Sequence, residues 1–347
     1  MAEIALRAQP ETGRAATRVP TGVVVIVLAV LTVLLCLVSL AVGSQSLTLE
    51  ELVSAFVPGE RTVASIIVWQ LRMPRTVLAA MVGAALAMAG VVMQGLTRNP
   101  LAEPGILGVN AGASLSVVLS MSLLGLTDVG EFLWFAFAGA ALAAFLVHLI
   151  SVRSADAGPA RLVLAGVALG ASLRSITGTV TMYDSVTFDS YRFWVLGSLV
   201  DRDAELLVWV APFLVVGLVL ALASGLTLNA LALGEEQAKA LGVSPRRARA
   251  LALTSITLLC GASTAAVGPI SFVGLVVPHV LRLALGADQR KLLAVSVVAG
   301  PVLLLAADIL GRVILDSGEM EAGVVTAFIG GPVLLLMVIQ RMGVKRR

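Results

Sequence analysis

The chain has 347 residues, 59% of them hydrophobic and 13% charged, with a formal net charge of +3. Soluble domains carry about 25% charged residues, so the composition excludes a water-soluble globular protein, and so small a net charge gives no sign of nucleic-acid binding. Apolar runs of the roughly 20 residues needed to cross a hydrocarbon core recur along the chain. Their continuity predicts helices, since a barrel would show alternating ten-residue segments.

Residues 1–21 are polar, contain Arg7, Arg14 and Arg18, and read as a cytoplasmic tail. Gly22 to Val42 forms the first predicted span. Ala41-Val42-Gly43 resembles a cleavage site, but the run exceeds the ~7–15-residue core of a signal peptide. Further spans are predicted at 76–96, 105–124, 132–150, 162–181, 205–225, 249–267, 270–285, 292–314 and 324–340, about ten transmembrane helices in all. With the N-terminus cytoplasmic, 17 of the 24 basic residues fall on the cytoplasmic side, as the positive-inside rule requires. The basic tail at 343–347 then places both termini there. Cys36 and Cys260 lie within apolar runs and read as packing residues, and His148 and His279 show no metal-ligand spacing.

Aligning Gly83 with Gly261 gives seven identities over 26 positions, among them Gly90 with Gly268 and Pro100 with Pro278. The offset equals five spans, and an odd number inverts the second copy. The expected fold is therefore an all-α membrane protein with a single transmembrane domain, 22–342. Its two inverted five-helix halves, 22–200 and 201–342, follow a design common among transporters.

Four motifs stand out. Arg72-Met73-Pro74-Arg75 opens a helix, with proline suited to the first turn and two arginines on one face. Asn99-Pro100-Leu101-Ala102-Glu103-Pro104 makes a tight turn between Gly/Ala-rich spans, whose small residues allow close helix packing in lipid. The cytoplasmic segment 229–247 reads as two short amphipathic helices broken at Gly234 and Gly242, suited to a membrane surface or a partner's groove. Gly268-Pro269-Ile270-Ser271-Phe272-Val273-Gly274-Leu275 leads through a break to Pro278-His279.

In this order the four motifs resemble the FecCD-type permeases of ferric-siderophore, haem and vitamin B12 ABC importers. The resemblance covers about residues 22–340 and implies a bacterial cytoplasmic-membrane permease that works as a homodimer or heterodimer. Its implied partners are an ABC ATPase subunit, which would bind ATP and Mg, and a substrate-binding protein or lipoprotein. It implies ATPase-coupling helices within 229–247, involving Leu233, Gly234, Glu235, Glu236, Ala238, Leu241, Gly242 and Val243. It also implies that Arg72, Arg75 and Arg312 receive acidic residues of the binding protein. Because Arg312 follows Asp308 by four residues, a local ion pair is the alternative reading. The span at 162–181 resembles the pathway-lining helix, and the segment with Trp194 and Gly197 resembles the short helix that gates it.

Arg174 lies ~20 Å into that span at 1.5 Å per residue. A charge at such depth usually faces a cavity or partner, so Arg174 is expected to face the lumen and favour anionic chelates. No Gly-Lys dipeptide occurs, so the chain has no Walker A loop. An ion-coupled secondary transporter is the competing class, but Asp308 is the only clear intramembrane carboxylate. No catalytic cluster marks an enzyme.

Overall fold

The computed structural model describes residues 20–43, 47–57, 62–152, 159–315 and 318–344. Most of the N-terminal tail, Arg61, Arg153 and Lys345-Arg346-Arg347 lie outside the described residues. Every regular element among those described is helical. In chain order these are α1 (Thr21–Ala41), α2 (Leu49–Ser54), α3 (Val63–Ile66), α4 (Met73–Thr97), α5 (Val109–Leu124), α6 (Val129–Val152) and α7 (Pro159–Tyr183). There follow α8 (Ser185–Trp194), α9 (Ala204–Ala232), α10 (Glu235–Ala240), α11 (Pro245–Val267), α12 (Val273–Leu285), α13 (Gln289–Val313) and α14 (Ala322–Val344).

Eight helices among the described residues are long and apolar enough to cross a membrane. Two of the ten predicted spans fall short. Helix α5 has 16 residues and α12 has 13, about 24 and 20 Å, short of a full crossing. Positive-φ backbone cuts each at its start: Gly108 at φ 79° before α5, and Gly268 and Phe272 at φ 76° and 70° before α12. The predicted span at 76–96 is longer than expected. The π-helical segment Ile67–Arg72 joins α3 to α4, giving one helical unit of 35 residues, Val63–Thr97. Helix formation runs on through the polar residues Gln70, Arg72 and Arg75 that end the apolar run.

Helix α4 is the hub, packed by α13, α9, α11 and α12. Its Gly/Ala content explains this, because backbones meet where side chains are missing. A methyl group on Gly83 would lie 2.6 Å from the Gly300 carbonyl oxygen, and one on Gly90 would lie 1.9 Å from that of Gly274. Around this core the outer helices keep apolar surface exposed. On α1, Ile26, Val27, Val30, Val33, Leu34 and Leu37 all face outward, as a lipid-facing helix should. A polar tie midway along the helix, from Thr32 Oγ1 to the Val298 carbonyl at 3.0 Å, helps hold α1 to α13.

The Gly90 contact predicts an outcome. Gly90→Val forces side-chain atoms into the backbone of α12, beyond the about 1–3 kcal/mol typical of overpacking. The yield of folded, monodisperse protein in detergent should collapse. Gly331→Ala, where a methyl meets nothing within 4 Å, should leave it intact. Equal yields for both variants would refute the packing account.

Candidate functional site

At one end of the bundle the chain concentrates charge. Asp308 of α13 is 1% exposed and is held by two guanidinium groups. Arg75 donates to it from Nε at 3.0 Å and from Nη2 at 2.7 Å, and sends Nη1 to Glu319 at 2.6 Å. Arg312 donates to the other carboxylate oxygen, one helical turn away. The local ion pair read from the i, i+4 spacing is therefore present.

Arg312 and Arg72 do a second job. The last carbonyls of a helix have no intrahelical donor and carry the negative end of its dipole. Arg312 Nη1 donates to the carbonyls of Ser39 and Val42 at 2.7 and 3.0 Å. Arg72 Nη1 donates to those of Leu40 and Ala41, both at 2.8 Å. Ser39 Oγ, 2.7 Å from Thr76 Oγ1, accepts from Arg312 Nη2. The arginines expected to await a partner's carboxylates are thus engaged within the chain, with Arg72 and Arg312 buried. Three sequence-distant segments compete for their donors, which no local pattern announces. All three still line an open depression of about 600 Å³ shared with Arg202, Asp201 and Glu319.

At the ends of α9 and α11 lies the segment expected to hold two short helices. It holds one. The backbone stays helical in α9 to Ala232, and α11 starts at Pro245, leaving α10 between Gly234 at φ 121° and Gly242 at φ 77°. Ala238 buries itself against Ala230, Leu231 and Ala248, with Val243 at the edge. Glu235 pairs with Arg249 of α11. Leu233 and Leu241, each 63% exposed, flank this unit, and Glu236 is exposed between them. Nearby, Asn229 Nδ2 donates to Asp288 at 2.8 Å while its Oδ1 accepts from the Gln289 N–H at 2.9 Å. This amide donor is the main reason the Asp288 carboxyl sits below its usual range.

The Trp194–Gly197 turn closes against three other elements. Trp194 is buried, edge-on to Phe132 at 6.3 Å between centroids. Gly197 takes φ 76°; its carbonyl accepts from Gly323 N–H at 3.0 Å, and Ser198 N–H donates to the Val267 carbonyl at 2.8 Å. Arg174 projects from α7 into a separate polar hollow of about 240 Å³ with Glu103, Asn110 and Ser271. Glu103 accepts from the Phe272 N–H at 2.6 Å, tying the Asn99–Pro104 turn to the start of α12. Among the described residues no group of three or more His, Cys, Asp or Glu is placed to hold a metal ion.

Membrane-length helices, glycine-mediated packing and polar hollows between helices define a multi-pass membrane transport protein. A profile of the FecCD transport family matches residues 31–340, and the chain belongs to that family. It is 44% identical over 313 residues to the ferric enterobactin transport system permease protein FepD of Escherichia coli (strain K12), covering 90% of this chain and 93% of that one. It is 42% identical over 278 residues to the vitamin B12 import system permease protein BtuC of Vibrio cholerae serotype O1, covering 79% and 83%. A solved structure described as a metal-chelate type ABC transporter in an inward-facing conformation superposes with a TM-score of 0.81 at 28% identity, covering 92% of this chain and 99% of that one. The chain is an ABC transporter permease, a transport component and not a catalytic enzyme.

The ionic end sets an expected outcome. Removing one partner of a buried ion pair costs about 3–5 kcal/mol. Asp308→Ala leaves the Arg312 guanidinium without its carboxylate and Arg75 with Glu319 alone, and should lower the thermal unfolding midpoint sharply. Glu319→Ala, at a partly exposed position, should lower it far less. Equal shifts would show that Asp308 is not the organising charge.

Proposed function

We propose that the chain is the membrane-spanning permease of a bacterial importer that moves an iron–siderophore, or a related metal chelate, by ATP-driven alternating access. The observation that carries this reading is the near full-length similarity to FepD, a ferric enterobactin transport system permease protein. The alternative cargo is vitamin B12, favoured by the similarity to BtuC.

In this reading ten helices span the cytoplasmic membrane as two inverted five-helix halves, 22–200 and 201–342, with both termini in the cytoplasm. The shorter α5 and α12 cross with the help of the turns preceding them. Inverted halves give a pathway whose two ends open in turn. A second permease copy or a sister permease faces the exposed side of α7, where Leu164, Val167 and Ile176 lack neighbours, with the pathway between the two. The short helix α10, with Leu233 and Leu241 exposed on either side, seats in a groove of an ABC ATPase, and helix-in-groove docking uses just such apolar anchors. ATP and Mg belong to that partner.

At the opposite end a substrate-binding protein or lipoprotein docks over the depression containing Arg72, Arg75 and Arg312. Their internal bonds narrow the docking role. A carboxylate from the partner competes with Glu319 for Arg75, while Arg72 and Arg312 hold the end of α1 in place. The turn with Trp194 and Gly197 acts as the gate. Its bonds to the α11–α12 break and to the start of α14 let movement of those helices open or close it.

The test is reconstitution in proteoliposomes with the ATPase and binding protein. Uptake of a ferric siderophore should require ATP and both partners, and cobalamin should be taken up poorly. Leu241→Glu should reduce uptake about tenfold or more by placing a charge in an apolar contact, while the ATPase keeps its basal hydrolysis. Uptake driven by a proton gradient without ATP would overturn the reading.

A further inference from the structure

The polar hollow beside α7 sets an arginine, unpaired among the described residues, opposite a single carboxylate that is already engaged. We propose that it is a transient subsite on the substrate's route that holds an anionic oxygen group, a catecholate or carboxylate, of the passing chelate. The proposal rests on the importer reading and adds the class of cargo group that the route recognises.

Arg174 carries the argument. Arg72, Arg75 and Arg312 spend their donors on carbonyls and carboxylates of the chain itself. Arg174 forms no hydrogen bond or ion pair with any described residue. It stands within a helix long enough to span, where a central charge costs about 2.5–3.5 kcal/mol on insertion scales. Such a group is retained where it faces a polar cavity. Its guanidinium folds back along α7 over Gly170, where a methyl would lie 3.6 Å from Nη2 and 3.8 Å from Nη1. A side chain larger than alanine there would displace it from the hollow.

The other walls supply donors as well. Asn110 accepts from Thr264 Oγ1 at 3.0 Å through Oδ1. That leaves its Nδ2 on the side of Gly105, another wall of the hollow. The Ser271 hydroxyl completes the set. Glu103 is the sole carboxylate in the lining, and it already accepts the Phe272 N–H at 2.6 Å. It caps the start of α12, burial pushes its carboxyl above the usual carboxylate range despite that bond, and it makes no ion pair with Arg174. The hollow therefore presents a full guanidinium, an amide and a hydroxyl to an incoming group. A guanidinium fork matches a carboxylate or a pair of catecholate oxygens.

Size decides how much of the cargo enters. Small-molecule sites run about 300–1,000 Å³, so about 240 Å³ admits one arm of a chelate and not the whole. The facing carboxylate of Glu103 limits how tightly an anion is held, which suits a station that must release.

Two measurements test this. In proteoliposomes carrying the complete importer, initial uptake is compared for an anionic ferric tris-catecholate and a neutral ferric tris-hydroxamate. Arg174→Ala should slow the catecholate about tenfold or more, the loss of a charge-assisted hydrogen bond, and leave the hydroxamate rate unchanged. Arg174→Lys should recover part of the loss, and Gly170→Leu should resemble Arg174→Ala. In nanodiscs, ferric tris-catecholate should bind the permease more weakly after Arg174→Ala, with equal folded yield and thermal midpoint. Equal slowing of both chelates, or unchanged catecholate binding, would overturn the subsite and leave the importer reading standing. Arg174-dependent binding without ATP-driven uptake of either chelate would overturn the importer reading and leave an anion site.

Discussion

One buried carboxylate organises the charged end of this molecule. Asp308 sits at 1% exposure inside the bundle and holds Arg75 of α4 and Arg312 of its own helix. A buried ion pair is weak evidence for stability, because desolvation offsets much of the attraction. What this cluster provides is position. Once Asp308 fixes the two guanidinium groups, Arg312 is placed to satisfy the orphan carbonyls of α1 alongside Arg72. An outer helix with a mostly lipid-facing surface is thereby anchored by polar bonds at its end. Lipid offers no hydrophobic drive between helices, so such polar ties carry a larger share of the specificity than they would in water.

The rest of the bundle relies on absence of bulk. Gly83 against Gly300 and Gly90 against Gly274 let α4 approach α13 and α12 backbone to backbone. Dispersion then operates over many close contacts. The same small residues leave room for polar turns between helices. The hollow at Arg174 and the cap that Glu103 places on α12 both depend on the Asn99–Pro104 turn reaching in beside these glycines.

Much of the fold was legible from apolar run length alone, because each predicted span falls on a helix, eight of them long enough to cross a membrane. The differences have physical causes. The start of the α3–α4 unit was hidden because Gln70, Arg72 and Arg75 end the apolar run while the backbone continues as helix through a π-helical segment. Helices α5 and α12 looked long because Gly and Pro pass as tolerated membrane residues, yet positive-φ backbone at Gly108, and at Gly268 and Phe272, makes each helix start late. In the 229–247 segment the flanking residues prolong α9 and α11, so one short helix remains where two were expected. The Asp308–Arg312 pair follows from four-residue spacing. The grip of Arg75 on the same carboxylate, across 233 residues of chain, leaves no local trace. Nor does the use of Arg72 and Arg312 as caps, which requires knowing where α1 ends in space.

The buried ring of Trp194 bears on how firmly the turn that follows it is held. Its indole N–H has no hydrogen-bond partner among the described residues, although Tyr191 and Phe132 surround the ring. A buried donor left unmade costs about 1–3 kcal/mol. That cost is refunded by any movement that gives the indole a water molecule or a carbonyl. The turn is therefore held less firmly than the tight seating of Gly197 and Gly268 alone would suggest.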